Sequence, residues 1–294
     1  MKAGFVNIFG RPNAGKSTLL NALAGEKMAI VSPKAQTTRH RIKAILSEKD
    51  YQLIISDTPG IIDPKYRLHE KMMDAVKNAL EDADVALLLV DVNEDLPEAD
   101  ALFTGLRLRV PAMVVINKTD KAGPDRVRQA RELFEKRPYC KKLMTISALR
   151  GFDVPAFLTP ILELLPEGEP FFPEDEISDL PTRFFVGELV REKIFEFLSD
   201  ELPYQATVLV REFKEKSTLT KIVADIIVQR ESQKAIVLGE RGSMIKKIGT
   251  AARADIEKFL SAGSDQPQKV FLELFVKVKP GWRENELQLR EYGY

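Results

Sequence analysis

GRPNAGKS, residues 10–17, follows the apolar run GFVNIF and precedes TLLNALAGEK. Two glycines separated by four residues, then Lys16 and Ser17, form the pattern of a phosphate-binding loop. Gly10 and Gly15 let the backbone curl until successive N–H groups point at one anion. The positive end of the following helix adds to that field. Lys16 can reach the outer phosphates as a point charge, and Ser17 can offer its hydroxyl oxygen to Mg²⁺. The whole stretch is therefore assigned to nucleotide binding: Gly10, Arg11, Pro12, Asn13, Ala14, Gly15, Lys16, Ser17 and Thr18. A glycine turn before an ordinary helix is the plainer alternative. Placement between a strand and a helix favours a nucleoside triphosphate.

The surroundings carry the same pattern outward. Apolar runs at 5–9, 53–55, 85–90, 113–116 and 143–146 are the length of buried strands. Amphipathic stretches such as LHEKMMDAVKNALEDA and DRVRQARELFEKR lie between them. Alternation of this kind predicts an α/β domain with a doubly wound, mostly parallel sheet. Residues 41–46 are expected to add an antiparallel edge strand.

Asn117-Lys118-Thr119-Asp120 follows AMVVI, which places it at the carboxyl end of a strand, where open α/β sheets bind ligands. Guanine presents two donors on one edge, and a fixed carboxylate such as Asp120 accepts both. Adenine would leave that carboxylate unmatched, a costly arrangement once water is excluded. Ser147-Ala148-Leu149, after LMTI, could meet the base through backbone N–H groups. Alone, NKTD reads equally well as a surface turn; after a phosphate loop it reads as a guanine site.

Between these motifs lies Asp57-Thr58-Pro59-Gly60, directly after YQLIIS. Asp57 is placed to hold Mg²⁺ through water, and the Gly60 N–H to detect a γ-phosphate. Upstream, KAQTTRHR supplies Thr37 and Thr38, one of which completes the Mg²⁺ shell; Thr38 is preferred. The metal set is thus Ser17, Thr38 and Asp57. Both segments fit loops that order around Mg²⁺–GTP and relax after hydrolysis. The residue after DTPG is Ile61, which cannot orient water as the glutamine of many small GTPases does. Charge stabilisation by Lys16, Mg²⁺ and the backbone must then carry catalysis, with slow intrinsic turnover.

These five motifs resemble the translation-factor-related class of GTPases. Within it, KAQTTRHR, DTPGI and the ending VKPGWRENELQLREYGY are similar to the Era family of bacterial ribosome-assembly GTPases. The resemblance spans nearly the whole chain. It implies a GTPase domain over 1–168, a linker over 169–181 and a smaller α+β, type II KH-like domain over 182–294. Further implications are binding of GTP and GDP, binding of the 3′ end of small-subunit ribosomal RNA, action in assembly of the 30S subunit, and loose membrane contact. GTPases with an apolar residue after DTPG and Asn at the Asn13 position often use K⁺. The catalytic set it implies is Lys16, Thr38, Gly60 and Asn13; Asn13 as a simple turn residue stays open.

The second domain reads as a helix over GELVREKIFEFL, strands at 206–213 and 223–230, and a strand KAIVL leading through Gly239-Glu240-Arg241-Gly242 into the helix SMIKKIGTAARADIEKFL. The alternating run KVFLELFVKVK follows. The glycines would let backbone touch phosphates beside a helix start, the clamp of a KH domain. Ile236, Ile245 and Ile248 are candidates for an apolar groove under the bases, with Lys246 and Lys247 alongside. From the residues alone, a strand–helix turn on a protein-binding domain is equally admissible; the resemblance decides for RNA. The intervening LLPEGEPFFPEDEISDLP reads as a solvated, proline-stiffened tether.

Composition bounds the rest. The chain has 294 residues, 44 basic and 44 acidic, so any RNA affinity must come from local patches. A single cysteine, Cys140, permits no internal disulfide, which suits a reducing cytoplasm and a buried structural thiol. No signal-peptide pattern or membrane-length apolar run is evident. A monomer is expected. His40 and His69 share no metal-like spacing, and Trp282 reads as a packing anchor. Two competing functions remain: an RNA-binding protein with a structural, non-switching nucleotide site, and a metabolite kinase, which NKTD and the RNA-like module oppose.

Overall fold

The computed structural model describes residues 1–216, 219–262 and 267–294. The chain divides into two compact units, one made of Met1–Pro64 and His69–Asp179, the other of Lys65–Leu68 and Leu180–Tyr294.

The first unit runs β1 (Lys2–Phe9), α1 (Lys16–Ala24), β2 (Ile42–Glu48), β3 (Tyr51–Asp57), α2 (Arg67–Glu81, whose first two residues belong to the second unit), β4 (Val85–Asp91), α3 (Leu96–Gly105), β5 (Ala112–Asn117), α4 (Pro124–Glu135), β6 (Cys140–Thr145) and α5 (Val154–Leu164). Its six strands lie in the order β2-β3-β1-β4-β5-β6. All neighbours are parallel except β2, which pairs antiparallel with β3 at the edge. Continuous apolar runs such as VALLLV and AMVVI are buried throughout, as strands enclosed on both faces must be. Asp95 caps α3 by accepting from the Glu98 N–H, and Asp153 caps α5 from the Ala156 N–H. Cys140 opens β6 half-buried, and burial pushes its thiol pKa up, consistent with an inert thiol.

The segment after α5 differs from the solvated tether expected of it. Gln52 donates to the Phe172 carbonyl at 2.8 Å and accepts from the Phe171 and Phe172 N–H groups at 2.6 and 3.0 Å. The Ile45 N–H donates to the Ile177 carbonyl at 3.0 Å, and Lys43 pairs with Asp179 at 2.7 Å. Phe171 meets Phe5 edge to face. The physical reason is the open edge of β2, whose unpaired backbone groups need partners that acid- and proline-rich composition does not disclose.

The second unit contains α6 (Thr182–Phe197), α7 (Leu202–Gln205), β7 (Thr207–Glu215), β8 (Leu219–Val228), α8 (Glu231–Leu238), α9 (Ser243–Leu260), β9 (Lys269–Val278) and α10 (Glu286–Glu291). β8 is central, antiparallel to β7 and parallel to β9. KAIVL is the end of α8 and not a strand. Short apolar runs cannot be told from buried helix by period alone, and the Gln233 side chain, accepting from the backbone N–H groups of Gln229 and Arg230, starts a helix there. Trp282 is fully buried, donating to the Gln205 carbonyl at 3.0 Å beside Tyr292 and Tyr294. Residues 65–68 join this unit. The Leu68 N–H donates to the Arg283 carbonyl at 3.0 Å, Arg67 pairs with Glu286 at 3.0 Å, and Arg283 lies 4.2 Å from the centre of the Tyr66 ring. Among the described residues no helix is long and apolar enough to cross a membrane.

Arg191 is 1% exposed inside α6 and donates to both carboxylate oxygens of Glu188, at 2.7 and 2.5 Å. Removing one partner of a buried pair strands the other charge. Arg191→Ala should destabilise the second unit by about 3–5 kcal/mol, and Arg191→Met with Glu188→Leu should recover most of that loss. Thermal melting of the three proteins checks it; equal melting temperatures for the wild type and Arg191→Ala would contradict the buried pair.

Candidate functional site

The phosphate loop crosses from β1 to α1, and its shape is held by contacts that only small residues permit. Gly15 has φ 102°, and a Cβ there would come within 2.3 Å of the Asn117 amide. A Cβ on Gly60 would come within 2.8 Å of Pro12, so the DTPG turn lies directly against the loop. Lys16 is buried, its ammonium donating to the Gly10 and Arg11 carbonyls at 3.2 and 2.9 Å. Burial lowers its pKa, an effect that Asp57 opposes.

Ser17, Thr38 and Asp57 converge. The Ser17 hydroxyl lies 2.6 Å from Asp57 Oδ2 and 2.9 Å from the Thr38 hydroxyl, which donates to the same oxygen at 3.1 Å. Thr37 instead donates to the Lys34 carbonyl at 2.7 Å. Asp57 Oδ1 is buried without a hydrogen-bond partner among the described residues, and burial pushes this carboxyl pKa up, against the pull of Lys16. A buried carboxylate oxygen in want of a partner, beside two hydroxyls, is a hard-oxygen donor set that fits Mg²⁺.

A cavity of about 460 Å³ runs from this cluster to the ends of β5 and β6. At that far end the Asn117 side chain donates to the Ala14 carbonyl at 2.9 Å and accepts from the Ala148 N–H at 3.0 Å. Ser147 donates to Asp120 at 2.7 Å, which with smaller help from Arg150 lowers the carboxyl pKa and keeps it an acceptor. Lys118, at φ 61°, donates to the Asn13 carbonyl at 2.5 Å and pairs with Asp91 at 2.7 Å. Leu149 is 70% exposed and lines the cavity. The expected nucleotide residues are thus brought together, with Thr58 buried and donating to the Ile8 carbonyl at 2.6 Å.

Two acids here escaped the sequence reading. Asp91 ends its strand as Asp57 ends β3, a strand-end carboxylate that could have been read as a ligand-side group. Glu94 accepts from the Asp91 N–H at 3.1 Å and lies 3.9 Å from Arg11 of the loop. It carried no motif signal.

In the second unit, Gly239 (φ 73°), Arg241 (φ 50°) and Gly242 (φ 78°) form a tight turn between α8 and α9. A Cβ on Gly242 would meet nothing within 4 Å, so this backbone is open to an incoming group. Glu240, Arg241 and Lys246 are exposed, as is Ile236, while Ile245 is half-buried. The Lys247 ammonium lies 4.2 Å from the centre of the Phe197 ring. Ile248 corrects the sequence reading: it is fully buried in the core with Val237 and Ala252 and cannot meet a base. It faces inward because α9 packs on α6 and β9 through the stripe containing Ile248, Ala252 and Ile256.

A phosphate loop, a guanine-type end and a glycine turn on a small α+β unit define a P-loop GTPase carrying a KH domain. The family model for 50S ribosome-binding GTPases matches residues 5–118, and that for KH domains matches 201–283. The GTPase Era of Staphylococcus haemolyticus is 41% identical over 296 residues, covering 100% of this chain and 97% of the relative. That of Clostridium botulinum (strain Eklund 17B / Type B) is 40% identical, with 100% and 98% covered. Among solved structures, an Aquifex aeolicus Era variant bound to GDP and aluminium fluoride matches with TM-score 0.93 and 40% identity. Era in complex with MgGDPNP and nucleotides 1506–1542 of 16S ribosomal RNA matches with TM-score 0.93 and 41% identity; each covers 100% of this chain and 99% of its own. The chain belongs to the Era family of GTPases.

Burial pushes the Glu94 carboxyl up to about 7 from 4.5, despite Arg11. The folded protein therefore holds a proton that the unfolded chain has released across this range. That contribution to stability is complete below about 4.5, declines as pH rises, and is gone above about 7. Glu94→Gln should flatten this part of the pH–melting-temperature curve. Superimposable slopes for the two proteins between pH 4.5 and 7 would contradict the burial of Glu94 as a titrating acid.

Proposed function

We propose that this GTPase is a GTP-driven switch that binds the 3′ end of 16S ribosomal RNA at the Gly239–Gly242 turn and acts in assembly of the 30S subunit. The observation that carries this reading is the full-length likeness to the Era structure holding MgGDPNP and nucleotides 1506–1542. In this reading Asp120 pairs with the guanine donors and Ser147 steadies it. Ser17, Thr38 and Asp57 hold Mg²⁺, which neutralises phosphate charge when bound. Lys16 offsets charge developing on the outer phosphates, and the Gly60 N–H faces the γ-phosphate. Ile61 packs partly buried against the core, consistent with its having no part in orienting water. Phosphates of the RNA lie on the open backbone at Gly242 and on the amides at the start of α9.

K⁺ belongs to the same proposal. Asn13, at φ 65°, donates its amide to the Pro33 carbonyl at 3.0 Å, which leaves Oδ1 as the atom to offer a cation. GTP turnover should be faster in K⁺ than in Na⁺, and Asn13→Gly, which tolerates this backbone, should erase the difference while sparing GTP binding. Equal wild-type rates in the two salts would remove K⁺ and leave the GTPase assignment standing.

The switch is tested by titrating the 37-nucleotide fragment corresponding to 1506–1542 into protein loaded with GDP or with a non-hydrolysable GTP analogue. A coupling of about 1–3 kcal/mol would separate the two affinities by about 5- to 150-fold, and RNA must tighten the GTP form by the same factor. Gly242→Asp should lose RNA binding and keep GTP affinity, since its side chain enters open space on the ligand side. Equal affinities in the two nucleotide states would favour the alternative of a structural, non-switching site.

A further inference from the structure

Alternate residues of the second sheet face opposite ways. Ile222, Ala224 and Ile226 of β8 belong to the core, with Leu272 and Leu274 of β9 packed against it. The opposite face therefore carries Lys221, Val223 and Asp225 of β8 and Phe271, Glu273, Phe275 and Lys277 of β9. Phe271 and Phe275 remain 51% and 42% exposed, on the strand at the sheet's edge. Single exposed apolar residues are ordinary, but two aromatic rings held on one strand face are a patch.

The charge around them is layered. Asp225, beside Phe275 in register, is 1% exposed and takes Arg211 at 2.8 Å and Lys277 at 2.7 Å. The side chains of Arg211, Lys277 and Lys221 are 41%, 44% and 45% exposed. The acid lies beneath and the cations above it, so the face offers positive charge although the formal charges nearly cancel. Arg211 also lies 5.3 Å from the centre of the Phe275 ring. Glu273 between the rings, and Glu212 paired with Lys214 and Lys221, are the acids that temper it.

We propose that this face is a second RNA surface, where bases of a single-stranded segment stack on Phe271 and Phe275 while phosphates run along Arg211, Lys221 and Lys277. It rests on the RNA-binding reading above and extends it. A KH cleft clamps about four nucleotides, a small part of a 37-nucleotide fragment such as 1506–1542. Aromatic rings on an open sheet, flanked by cations, are a general solution for unpaired bases. Phe271 and Phe275 are four residues apart on one strand face, about 13 Å along β9, so they take two non-adjacent bases of an extended strand.

The test uses full-length protein loaded with the GTP analogue, the 37-nucleotide RNA and the tightest-binding five-nucleotide piece of it. Phe271→Ala with Phe275→Ala should weaken the long RNA by about 10-fold or more and leave the short one unchanged. Gly242→Asp should lose both. Lys221→Glu, at an exposed position, should weaken the long RNA alone, and ultraviolet crosslinks should map to Phe271 or Phe275, so the test survives if the double variant fails to fold. Unchanged affinity of the variants for the long RNA would overturn the second surface and spare the cleft. Failure of wild type to bind either RNA would sink both readings. A photocrosslinker at position 271 that captures a ribosomal protein instead of RNA in the 30S subunit would make this a protein-docking face and overturn the proposal.

Discussion

One amide side chain holds the nucleotide site together. Asn117, fully enclosed at the end of β5, donates to the phosphate loop at Ala14 and accepts from the Ala148 N–H. The two ends of the cavity are thereby fixed to one atom group, and the distance between them is set before any ligand arrives. The contact leaves no room for a Cβ on Gly15, so the glycine is required by the amide as much as by its own φ of 102°. Preorganisation of this kind spares the ligand the cost of ordering the loop. Lys118 doubles the link by bracing the loop at Asn13 against Asp91.

The same economy governs charge. Lys16 and Asp57 are both buried, each opposing the other's desolvation, yet they are not left as a bare pair. Two hydroxyls share one Asp57 oxygen and the other has no hydrogen-bond partner among the described residues. A buried oxygen in that condition is a cost unless a cation meets it. The second unit solves its own charge problem differently, by enclosing Arg191 with Glu188 on successive turns of one helix and by placing Asp225 beneath Arg211 and Lys277.

Much of this was legible in the chain because phosphate and guanine recognition demand particular residue types at strand ends. The parallel sheet followed from uninterrupted apolar runs, and the edge strand from the run before Tyr51. The preference for Thr38 over Thr37 had no periodic pattern behind it, since both hydroxyls lie in one polar segment; in the structure Thr38 donates to Asp57 and Thr37 to the Lys34 carbonyl. KAIVL misled because five residues cannot distinguish a strand from the last turns of a helix; the Gln233 contacts that settle it are local but carry no strong pattern. Ile248 misled because an amphipathic stripe names the apolar side of a helix without saying which members reach the surface. The stretch through Asp179 misled because composition reports solubility and not the needs of a neighbouring strand edge. Glu94 was invisible: nothing distinguishes it from the other acids of NEDLPEAD until burial does.

The second unit is not a consecutive stretch of chain. It closes around residues 65–68, whose Tyr66 ring and Leu68 amide are held by Arg283. The polypeptide therefore passes between the units three times, before Lys65, after Leu68 and after Asp179. A single proteolytic nick near Asp179 would leave four residues of the second unit, 65–68, on the other fragment. Conversely, a fragment beginning at Leu180 would lack four residues of its own compact body and would expose the Arg283 backbone and guanidinium they cover. Dissection of this protein by truncation thus removes more than a boundary suggests: the shortest intact form of the second unit is a two-segment object.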